Sequence, residues 1–230
     1  MTGRYTDQST TDEHDSSLTA FCSWTGGKDS CFACFRAMKE YDIVHLVHMA
    51  VRNDVQTNVD AIDELLAAQA KAVGVPLVQR RVKWDSYEAT YRQTLSTMDS
   101  THGVFGNVEG LEQRAWVDGL CDDLDLTPVY PLWNEGPAEL YRTFIERGFE
   151  ARVVKVDTER VAGRWLGAPL DEEYLDYLLA NDLHPMGEFG EYHTVTVDGP
   201  LFDTRVPLHI TGCTIHDGAL IAKVELGDSP

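Results

Sequence analysis

Short apolar runs alternate with segments of helical periodicity along most of the chain, after a polar start. Residues 1–17 show no apolar periodicity, and we expect a disordered tail there. Residues 18–24 form a short apolar run that ends in two glycines, and apolar residues at helical spacing follow over 31–40. This order predicts a strand, a glycine turn and a helix as the first folded unit.

The same pattern repeats through the first half of the chain. Near-continuous apolar runs predict strands at 43–51, 77–82 and 103–108, and helical spacing predicts helices at 58–73, 84–98 and 109–124. Strands that alternate with helices of this length favour a parallel sheet covered on both faces, with right-handed crossovers. We therefore expect an α/β fold with a parallel, doubly wound sheet over residues 18–130.

The pattern changes after residue 130. Helical spacing predicts helices at 137–148 and 170–180, and an apolar run predicts a strand at 151–156. Beyond residue 187, short alternating runs such as 193–197 and 220–224 are typical of antiparallel strands. These features predict a smaller C-terminal α+β domain over residues 131–230, with a boundary near 128–135.

Charge narrows the class of protein. The 230 residues include 38 acidic and 19 basic ones, which gives a formal net charge of -19. This excess of acidic residues indicates adaptation to high salt. The alternative interpretation is that the protein avoids nucleic acid, because proteins that bind phosphates normally carry a basic stripe.

No stretch approaches the roughly 18 uninterrupted apolar residues of a membrane span, and the acidic start is unlike a secretory signal. We expect a cytoplasmic protein that binds neither membrane nor nucleic acid.

The five cysteines, at positions 22, 31, 34, 121 and 213, form an odd set. Their number, in a chain without an export signal, argues against a disulfide framework. Cys31 and Cys34 form a C-x-x-C pair, which suits redox or metal chemistry, but no second pair completes a four-ligand site. We favour buried positions on the helix, because free cysteine behaves as a small apolar residue.

The glycine turn, Thr25-Gly26-Gly27-Lys28-Asp29-Ser30, is the first candidate site. It lacks the spacing of a Walker A loop and the third glycine of a dinucleotide-binding fingerprint. It does combine glycines that let backbone N–H groups approach an anion, a lysine, hydroxyls at both ends and a helix N-terminus. The Asp29 carboxylate would repel phosphate unless a cation such as Mg²⁺ lay between them. The residues therefore predict either a phosphate cradle with a metal ion or a simple turn.

This turn resembles the S-G-G-x-D-S loop of the PP-loop ATP pyrophosphatases, with Thr25 in place of the first serine. The resemblance implies the adenine nucleotide alpha hydrolase fold, with ATP bound through residues 25–30. It also implies catalytic roles for Lys28 and Asp29, and a Mg²⁺ ion bound at Asp29. Enzymes of this family cleave ATP between the α and β phosphates, adenylate a substrate oxygen, and let a nitrogen or sulfur nucleophile displace AMP.

A second resemblance covers residues 18–203. The segments 187–194, GEFGEYHT, and 198–202, DGPLF, resemble the G-E-x-G-E-[FY]-x-T and D-G-P-x-F signature of the diphthine-ammonia ligase family. The elements Pro131-Leu132-Trp133, Trp165-Leu166-Gly167, and Gly106-Asn107 with Arg114 occur in the order that the family shows. Members adenylate the carboxylate of diphthine, a modified histidine of elongation factor 2, and ammonia then completes the amide of diphthamide.

The second resemblance implies roles for further residues. Ammonium and a carboxylate acceptor, on elongation factor 2, are the implied partners. The implied catalytic residues are Glu188, Glu191 and His193. The implied ATP contacts outside the glycine turn are Gly106, Asn107 and Arg114, and the implied substrate contacts are Trp133, Trp165, Gly187, Gly190 and Thr194.

The chain also differs from that family in two places. Residues 107–114 lack the S-x-Y-Q-R-x-R element of the diphthamide branch. The motif at 187–194, with His193, instead resembles that of a sister branch, and the sequence does not identify the substrate of that branch. From the residues alone, an extended segment 191–195 would place Glu191 and His193 on one face and Tyr192 and Thr194 on the other. That first face could bind ammonium or take up a proton. In the alternative, Glu188 caps the turn and His193 packs in the sheet.

Two other functions stay open. One is a tRNA-modifying enzyme of related chemistry, which would need a basic surface, and the other is a nucleotide-binding module without turnover. Trp133 and Trp165 also suit core positions, and Arg114 suits a solvated helix face. The source of ammonia and the oligomeric state, a homodimer included, are left open as well.

Overall fold

Five parallel strands form the first sheet of the protein, seen in a computed structural model that describes residues 18–51 and 59–227. The strands run in the order β3-β2-β1-β4-β5 and all neighbouring pairs are parallel. Their bounds are β1 Leu18–Ser23, β2 Tyr41–Val51, β3 Leu77–Val82, β4 His102–Val104 and β5 Thr127–Val129. The helices between them are α1 Lys28–Ala37, α2 Val59–Val73, α3 Tyr87–Leu95 and α4 Leu111–Asp122, with a 3₁₀ turn at Trp84–Ser86 before α3.

The order of these strands fixes where a ligand can bind. The chain runs outward in one direction from β1 to β3, then returns to the other side of β1 to form β4 and β5. Connections that leave in opposite directions open a crevice at the carboxyl ends of β1 and β4, and open α/β sheets bind their ligands in such a crevice. The glycine turn follows β1 directly, so it lies at this crevice.

A second, antiparallel sheet follows in the order β7-β6-β9-β8. Its strands are β6 Glu150–Asp157, β7 Tyr192–Asp198, β8 Leu208–His216 and β9 Ala219–Leu226. The helices of this part of the chain are α5 Pro137–Glu146 and α6 Glu172–Ala180, with a 3₁₀ turn at Gly163–Trp165 between β6 and α6. Helix α1 contacts both β1 and β7, and α2 contacts β9. The two sheets therefore meet across α1 and α2.

One buried apolar cluster joins the two sheets, and a second lies on the far face of the parallel sheet. Helices α3 and α4 cover that far face with Tyr91, Leu95, Val117 and Leu120, while α1 and α2 cover the near face. The rings of Phe32, Phe144 and Phe149 pack within 5.7 Å of one another in the shared cluster. Other members of the shared cluster are Ala20, Cys22, Cys34, Leu66, Val153, Val156 and Val197.

The predicted fold class is confirmed, including the parallel sheet with helices on both faces and the smaller antiparallel sheet. Two strands had not been predicted. Strand β5 is only three residues long and contains Pro128, and β8 is exposed along most of its length, so neither has an apolar pattern. The predicted burial of Cys31 and Cys34 is confirmed, and both thiols are free. The predicted tail, 1–17, lies outside the described residues.

Across residues 18–51 and 59–227, no helix has the length and apolar character needed to cross a membrane.

Candidate active site

The glycine turn is held in shape by its own hydroxyl groups. Ser30 Oγ accepts a hydrogen bond from the backbone N–H of Thr25 at 3.3 Å and donates one to the carbonyl of Gly27 at 3.1 Å. Thr25 Oγ1 lies 3.2 Å from Ser30 Oγ. The two hydroxyls predicted to flank a phosphate cradle therefore bond to each other and fix the curvature of the loop.

Gln69 on α2 joins this loop to the second sheet. Its side chain is fully buried, and its amide nitrogen donates to the carbonyls of Gly26 at 2.9 Å and Thr196 at 2.7 Å. Its amide oxygen accepts from the indole N–H of Trp24 at 3.2 Å. Gly26 has φ +72°, and a Cβ there would lie 2.3 Å from the Gln69 amide oxygen, so only glycine fits. Sequence reasoning missed Gln69, and its one signal was a polar residue on the apolar face of α2.

Lys28 and Asp29 lie side by side at the start of α1. Lys28 is almost fully buried, with its Nζ 2.9 Å from Asp29 Oδ2 and 5.0 Å from the centre of the Tyr192 ring. The other Asp29 oxygen, Oδ1, is buried and has no hydrogen-bond partner in the described part of the chain. A buried carboxylate oxygen without a partner suits an oxygen-binding cation such as Mg²⁺, which is held by one or two carboxylates plus phosphate oxygens.

Within the described residues no three His, Cys, Asp or Glu side chains come together as a complete metal site. A cation at Asp29 would therefore take most of its ligands from phosphate and water, as Mg²⁺ does at nucleotide sites.

Gly106 and Asn107 follow β4 and line the same cleft as the glycine turn. A Cβ at Gly106 would lie 2.9 Å from the backbone carbon and oxygen of Asp29 and 3.0 Å from the nitrogen of Ser30. Those neighbours are backbone atoms, which cannot rotate away as the end of a side chain can. Gly106 is therefore required by the close approach of the two loops at the carboxyl ends of β1 and β4.

Glu188 lies across the cleft from the glycine turn, in the loop before β7. Its side chain is half-buried, and this burial raises the pKa of the carboxyl to about 7, with further contributions from Asp29, Glu109 and Glu191, while Lys28 lowers it. A carboxyl with a pKa near neutrality can both hold and release a proton under ordinary conditions. Glu188 therefore has the properties of an acid-base group.

His184 holds the backbone of this loop, a role that sequence reasoning missed. Its Nδ1 accepts hydrogen bonds from the backbone N–H groups of Met186 at 3.2 Å and Glu188 at 3.3 Å. Its Nε2 lies 2.9 Å from Glu109 Oε1, on the loop that precedes α4. Because Nδ1 accepts from both N–H groups, the neutral ring carries its proton on Nε2.

Glu191 has a different position from the one expected. It is fully buried, its Oε1 is 2.6 Å from Arg160 Nη2, and its two oxygens accept from the N–H groups of His184 at 3.4 Å and Phe189 at 3.0 Å. It is absent from the residues that line the cleft. The structure therefore places the Glu191 carboxylate away from the cleft lining, where it pairs with Arg160 and anchors the loop that carries Glu188.

Strand β7, which follows this loop, lines the cleft with four residues, Tyr192, His193, Thr194 and Val195. Tyr192 and Thr194 are buried against Lys28, and Thr194 Oγ1 accepts a hydrogen bond from the Lys28 backbone N–H at 3.1 Å. His193 projects to the opposite face of the strand, where one side of the residue is open to solvent and the other is covered by side chains of the cleft. The desolvating surroundings of the cleft, with the nearby charges of Lys155 and Lys28, lower the pKa of His193 to about 4. Lys155 on β6 lines the cleft too, and sequence reasoning had not identified it.

Six predicted site residues are not among those that line the cleft: Gly26, Arg114, Trp133, Trp165, Gly190 and Glu191. Arg114 stacks on Tyr130 and Trp133, with its guanidinium carbon 4.7 and 4.6 Å from the two ring centres. Trp165 packs against Tyr174, 4.8 Å between ring centres. Of the two loop glycines, Gly187 lines the cleft and Gly190 does not, although both have positive φ, at 65° and 84°. Gly26 belongs to the glycine turn itself, so the predicted residues that the structure places apart from the cleft lining are Arg114, Trp133, Trp165, Gly190 and Glu191.

The cleft as a whole has a volume of about 640 Å³. Its polar end contains the glycine turn, Asn107 and Glu188, and its other walls are largely apolar. This combination of a phosphate-sized cradle and apolar walls suits a nucleotide together with a second substrate. Apolar wall residues from α2 and β9 include Ile62, Leu65, Leu66, Ile221, Ala222 and Val224, and further ones from other elements are Phe105, Val154, Met186 and Val195.

Comparison with known proteins gives one family. Residues 19–128 match the model of the diphthamide synthase N-terminal domain, and residues 136–220 match that of the C-terminal domain. Relatives named diphthine-ammonia ligase include one from Rattus norvegicus and one from Homo sapiens, each 27% identical over 87% of this chain and 86% of the relative. A relative of the same name from Schizosaccharomyces pombe is 24% identical over 80% of this chain and 35% of its own length.

Among solved structures, a predicted subunit of tRNA methyltransferase from Methanocaldococcus jannaschii is 14% identical, with a TM-score of 0.42 over 79% of this chain and 97% of that one. The two domain models together span most of the chain, in the order and at the positions of its two sheets. The chain belongs to the diphthamide synthase family.

Proposed function

We propose that the protein is an ATP-dependent ligase that joins ammonia to a carboxylate as an amide and releases AMP and pyrophosphate. The acceptor is diphthine on elongation factor 2, and the product is diphthamide. The observation that carries the proposal is that one cleft contains both the Lys28-Asp29 pair of the glycine turn and the half-buried carboxyl of Glu188. Membership of the family and the names of the relatives support this reaction class.

The first step is attack by a carboxylate oxygen of the acceptor on the α-phosphorus of ATP. An acyl-AMP bond forms, the bond between the α-phosphorus and the bridging oxygen breaks, and pyrophosphate leaves. Residues 25–30 bind the phosphates at the start of α1, where the helix dipole favours anions. The ammonium group of Lys28, buried beside Asp29, offsets the negative charge that accumulates on the leaving pyrophosphate.

Asp29 is the residue that would hold Mg²⁺, because its buried Oδ1 lacks a hydrogen-bond partner in the described part of the chain. When bound there, the ion would neutralise phosphate charge and orient the triphosphate. Gly106 and Asn107 complete this end of the cleft, and Gly106 approaches the backbone of Asp29 and Ser30 directly.

In the second step ammonia attacks the carbonyl carbon of the acyl-adenylate. A C–N bond forms, the nitrogen loses one proton, and AMP leaves with the oxygen that came from the carboxylate. Glu188 in its unprotonated form takes up that proton, because its pKa of about 7 lets it accept at neutral pH and release later to solvent. His193 stays neutral, since its pKa is lowered to about 4, and is free to accept or donate a hydrogen bond in the cleft.

The test of this proposal is product analysis. The protein is incubated with MgATP, ammonium and elongation factor 2 that carries diphthine, and nucleotides and the amide are quantified. We expect AMP, pyrophosphate and diphthamide in equal amounts, and only when acceptor and ammonium are both present. ADP and phosphate as products would contradict adenylation. AMP release with a different carboxylate, and none with diphthine, would keep the reaction and overturn the acceptor.

A further inference from the structure

We propose that Lys155 binds the carboxylate of the acceptor, in a subsite formed by one row of side chains across three strands: Ile221, Lys155 and His193. This inference rests on the proposed function, because it assigns a place to the carboxylate of that reaction. It adds a substrate-binding residue from the second sheet to a site that has so far been built around the glycine turn.

The strand register places the three side chains together. In the antiparallel pairs of the second sheet, Lys155 on β6 stands opposite His193 on β7 and opposite Ile221 on β9. Residues directly opposite each other in antiparallel strands project from the same face, with Cβ atoms about 4.5–5.5 Å apart. All three residues line the cleft that contains the glycine turn. The row therefore forms one continuous part of the cleft wall, with the apolar side chain of Ile221, the cationic side chain of Lys155 and the imidazole of His193 next to one another.

The charges in the cleft single out Lys155. The cationic side chains that line the cleft are Lys28 and Lys155, and the acidic ones are Asp29 and Glu188. Lys28 is engaged by Asp29 at 2.9 Å and by the Tyr192 ring. Lys155 is half-buried, and within residues 18–51 and 59–227 its ammonium group forms neither an ion pair nor a hydrogen bond. A partly desolvated cation without a partner is costly, and an anion that enters the cleft removes that cost.

The acceptor carboxylate suits this position better than the triphosphate does. The phosphates have their own cradle at residues 25–30, after β1 of the parallel sheet, whereas Lys155 belongs to β6 of the antiparallel sheet. A carboxylate that approaches the α-phosphorus must instead come close to Asp29 and Glu188, which repel it, so a cation is needed on the acceptor's side. The neighbouring imidazole of His193 can donate a hydrogen bond to the second carboxylate oxygen, and Ile221 can pack against the adjoining carbon atoms.

Two variants with opposite expectations test the assignment. Lys155→Met removes the charge and keeps the aliphatic length, and Lys155→Arg keeps the charge. We expect Lys155→Met to raise KM for diphthine-bearing elongation factor 2 by at least about tenfold, with the Kd for ATP changed by less than about twofold. We expect Lys155→Arg to restore most of the acceptor affinity. Unfolding temperatures within a few degrees of wild type would show that both variants are folded.

Two results would overturn the assignment. One is an unchanged KM for the acceptor in Lys155→Met. The other is a weaker Kd for ATP with no change for the acceptor, which would make Lys155 a phosphate ligand. If the wild-type protein releases no AMP, the proposed reaction fails, and direct binding of the diphthine-bearing factor then decides about Lys155. Loss of at least about tenfold in that affinity in Lys155→Met supports the subsite, and equal affinity contradicts it.

Discussion

The hydroxyl of Thr194 accepts a hydrogen bond from the backbone N–H of Lys28 at 3.1 Å, although 166 positions separate the two residues. Lys28 is the first residue of α1, where backbone N–H groups lack partners within the helix. Strand β7 therefore supplies the cap that α1 does not find in its own sequence, since Gly27 has no side chain to provide one. The shape of the glycine turn depends on the second sheet.

Loss of the Thr194 hydroxyl should weaken ATP binding. Thr194→Val keeps the shape of the side chain and leaves the buried N–H of Lys28 without a partner, which costs about 1–3 kcal/mol. We expect a matching fall in stability and a rise of about tenfold in the Kd for ATP, measured by calorimetry. Thr194→Ser is the control, because it keeps the hydroxyl. Equal ATP affinity in all three proteins would show that this bond does not shape the loop.

Much of the first sheet could be predicted because each strand and helix carries its own periodicity. The run at 18–24, the glycines and the helix spacing after them gave the order of β1, the turn and α1, although α1 begins at Lys28 and ends at Ala37, three residues before the predicted bounds of 31–40. The resemblance placed the Gly187 loop at the same site, and the structure brings Gly187, Glu188 and His193 to the cleft. These features are local in sequence, so a single chain reveals them.

Activity should increase as the pH passes through about 7, because Glu188 must lose its proton to act as a base. The measurement is the rate at saturating ATP and acceptor, plotted at constant free ammonia. Glu188→Gln should lower this rate by about 100-fold and abolish the rise. A variant that keeps both the rate and the pH profile would exclude Glu188 as the base.

The raised pKa of Glu188 also predicts how the stability of the protein depends on pH. Its pKa in the folded protein, about 7, is above the ordinary value of 4.5, so the folded state favours the protonated form. The resulting stabilisation is present at acidic pH and is lost as the pH rises from the ordinary value through about 7. Glu188→Gln should therefore be more stable than wild type above neutrality, in urea unfolding. Wild type gaining stability over that range relative to the variant would contradict this.

The Arg160-Glu191 pair should be needed for folding of the loop rather than for chemistry. Arg160→Leu leaves the fully buried Glu191 carboxylate without its cation, which costs about 3–5 kcal/mol in buried pairs. Arg160 is itself partly exposed, so we expect the free energy of unfolding, measured in urea, to fall by about 3 kcal/mol. The double variant Arg160→Leu with Glu191→Gln should recover at least half of it. A single variant within about 0.5 kcal/mol of wild type would show that the pair is dispensable.

Arg114 should be unimportant for ATP affinity. It stacks on Tyr130 and Trp133 and does not line the cleft, so Arg114→Met should change the Kd for ATP by less than about twofold. Lys28→Met, which removes the buried charge of the glycine turn, should raise the same Kd by at least about tenfold. If Arg114→Met matches Lys28→Met, the residue contacts the nucleotide as the sequence had implied.

The remaining features depend on contacts between distant segments. Nothing local marks Gln69 as the link between Gly26 and Thr196, or Lys155 as the neighbour of His193, because the strand register that joins them is set by the whole fold. The roles of Glu188 and Glu191 were difficult to separate for the same reason. The two carboxylates are three positions apart, and only the position of Arg160 shows which one is buried and paired.

The most direct test of the account follows the acceptor's oxygen. If a carboxylate oxygen attacks the α-phosphorus, an acceptor labelled with ¹⁸O in its carboxylate must pass one labelled oxygen to AMP. Mass spectrometry of AMP after turnover with MgATP and ammonium measures this transfer. We predict one ¹⁸O in the phosphate of each AMP formed and one retained in the amide. AMP without label, with the amide formed, would contradict adenylation of the carboxylate.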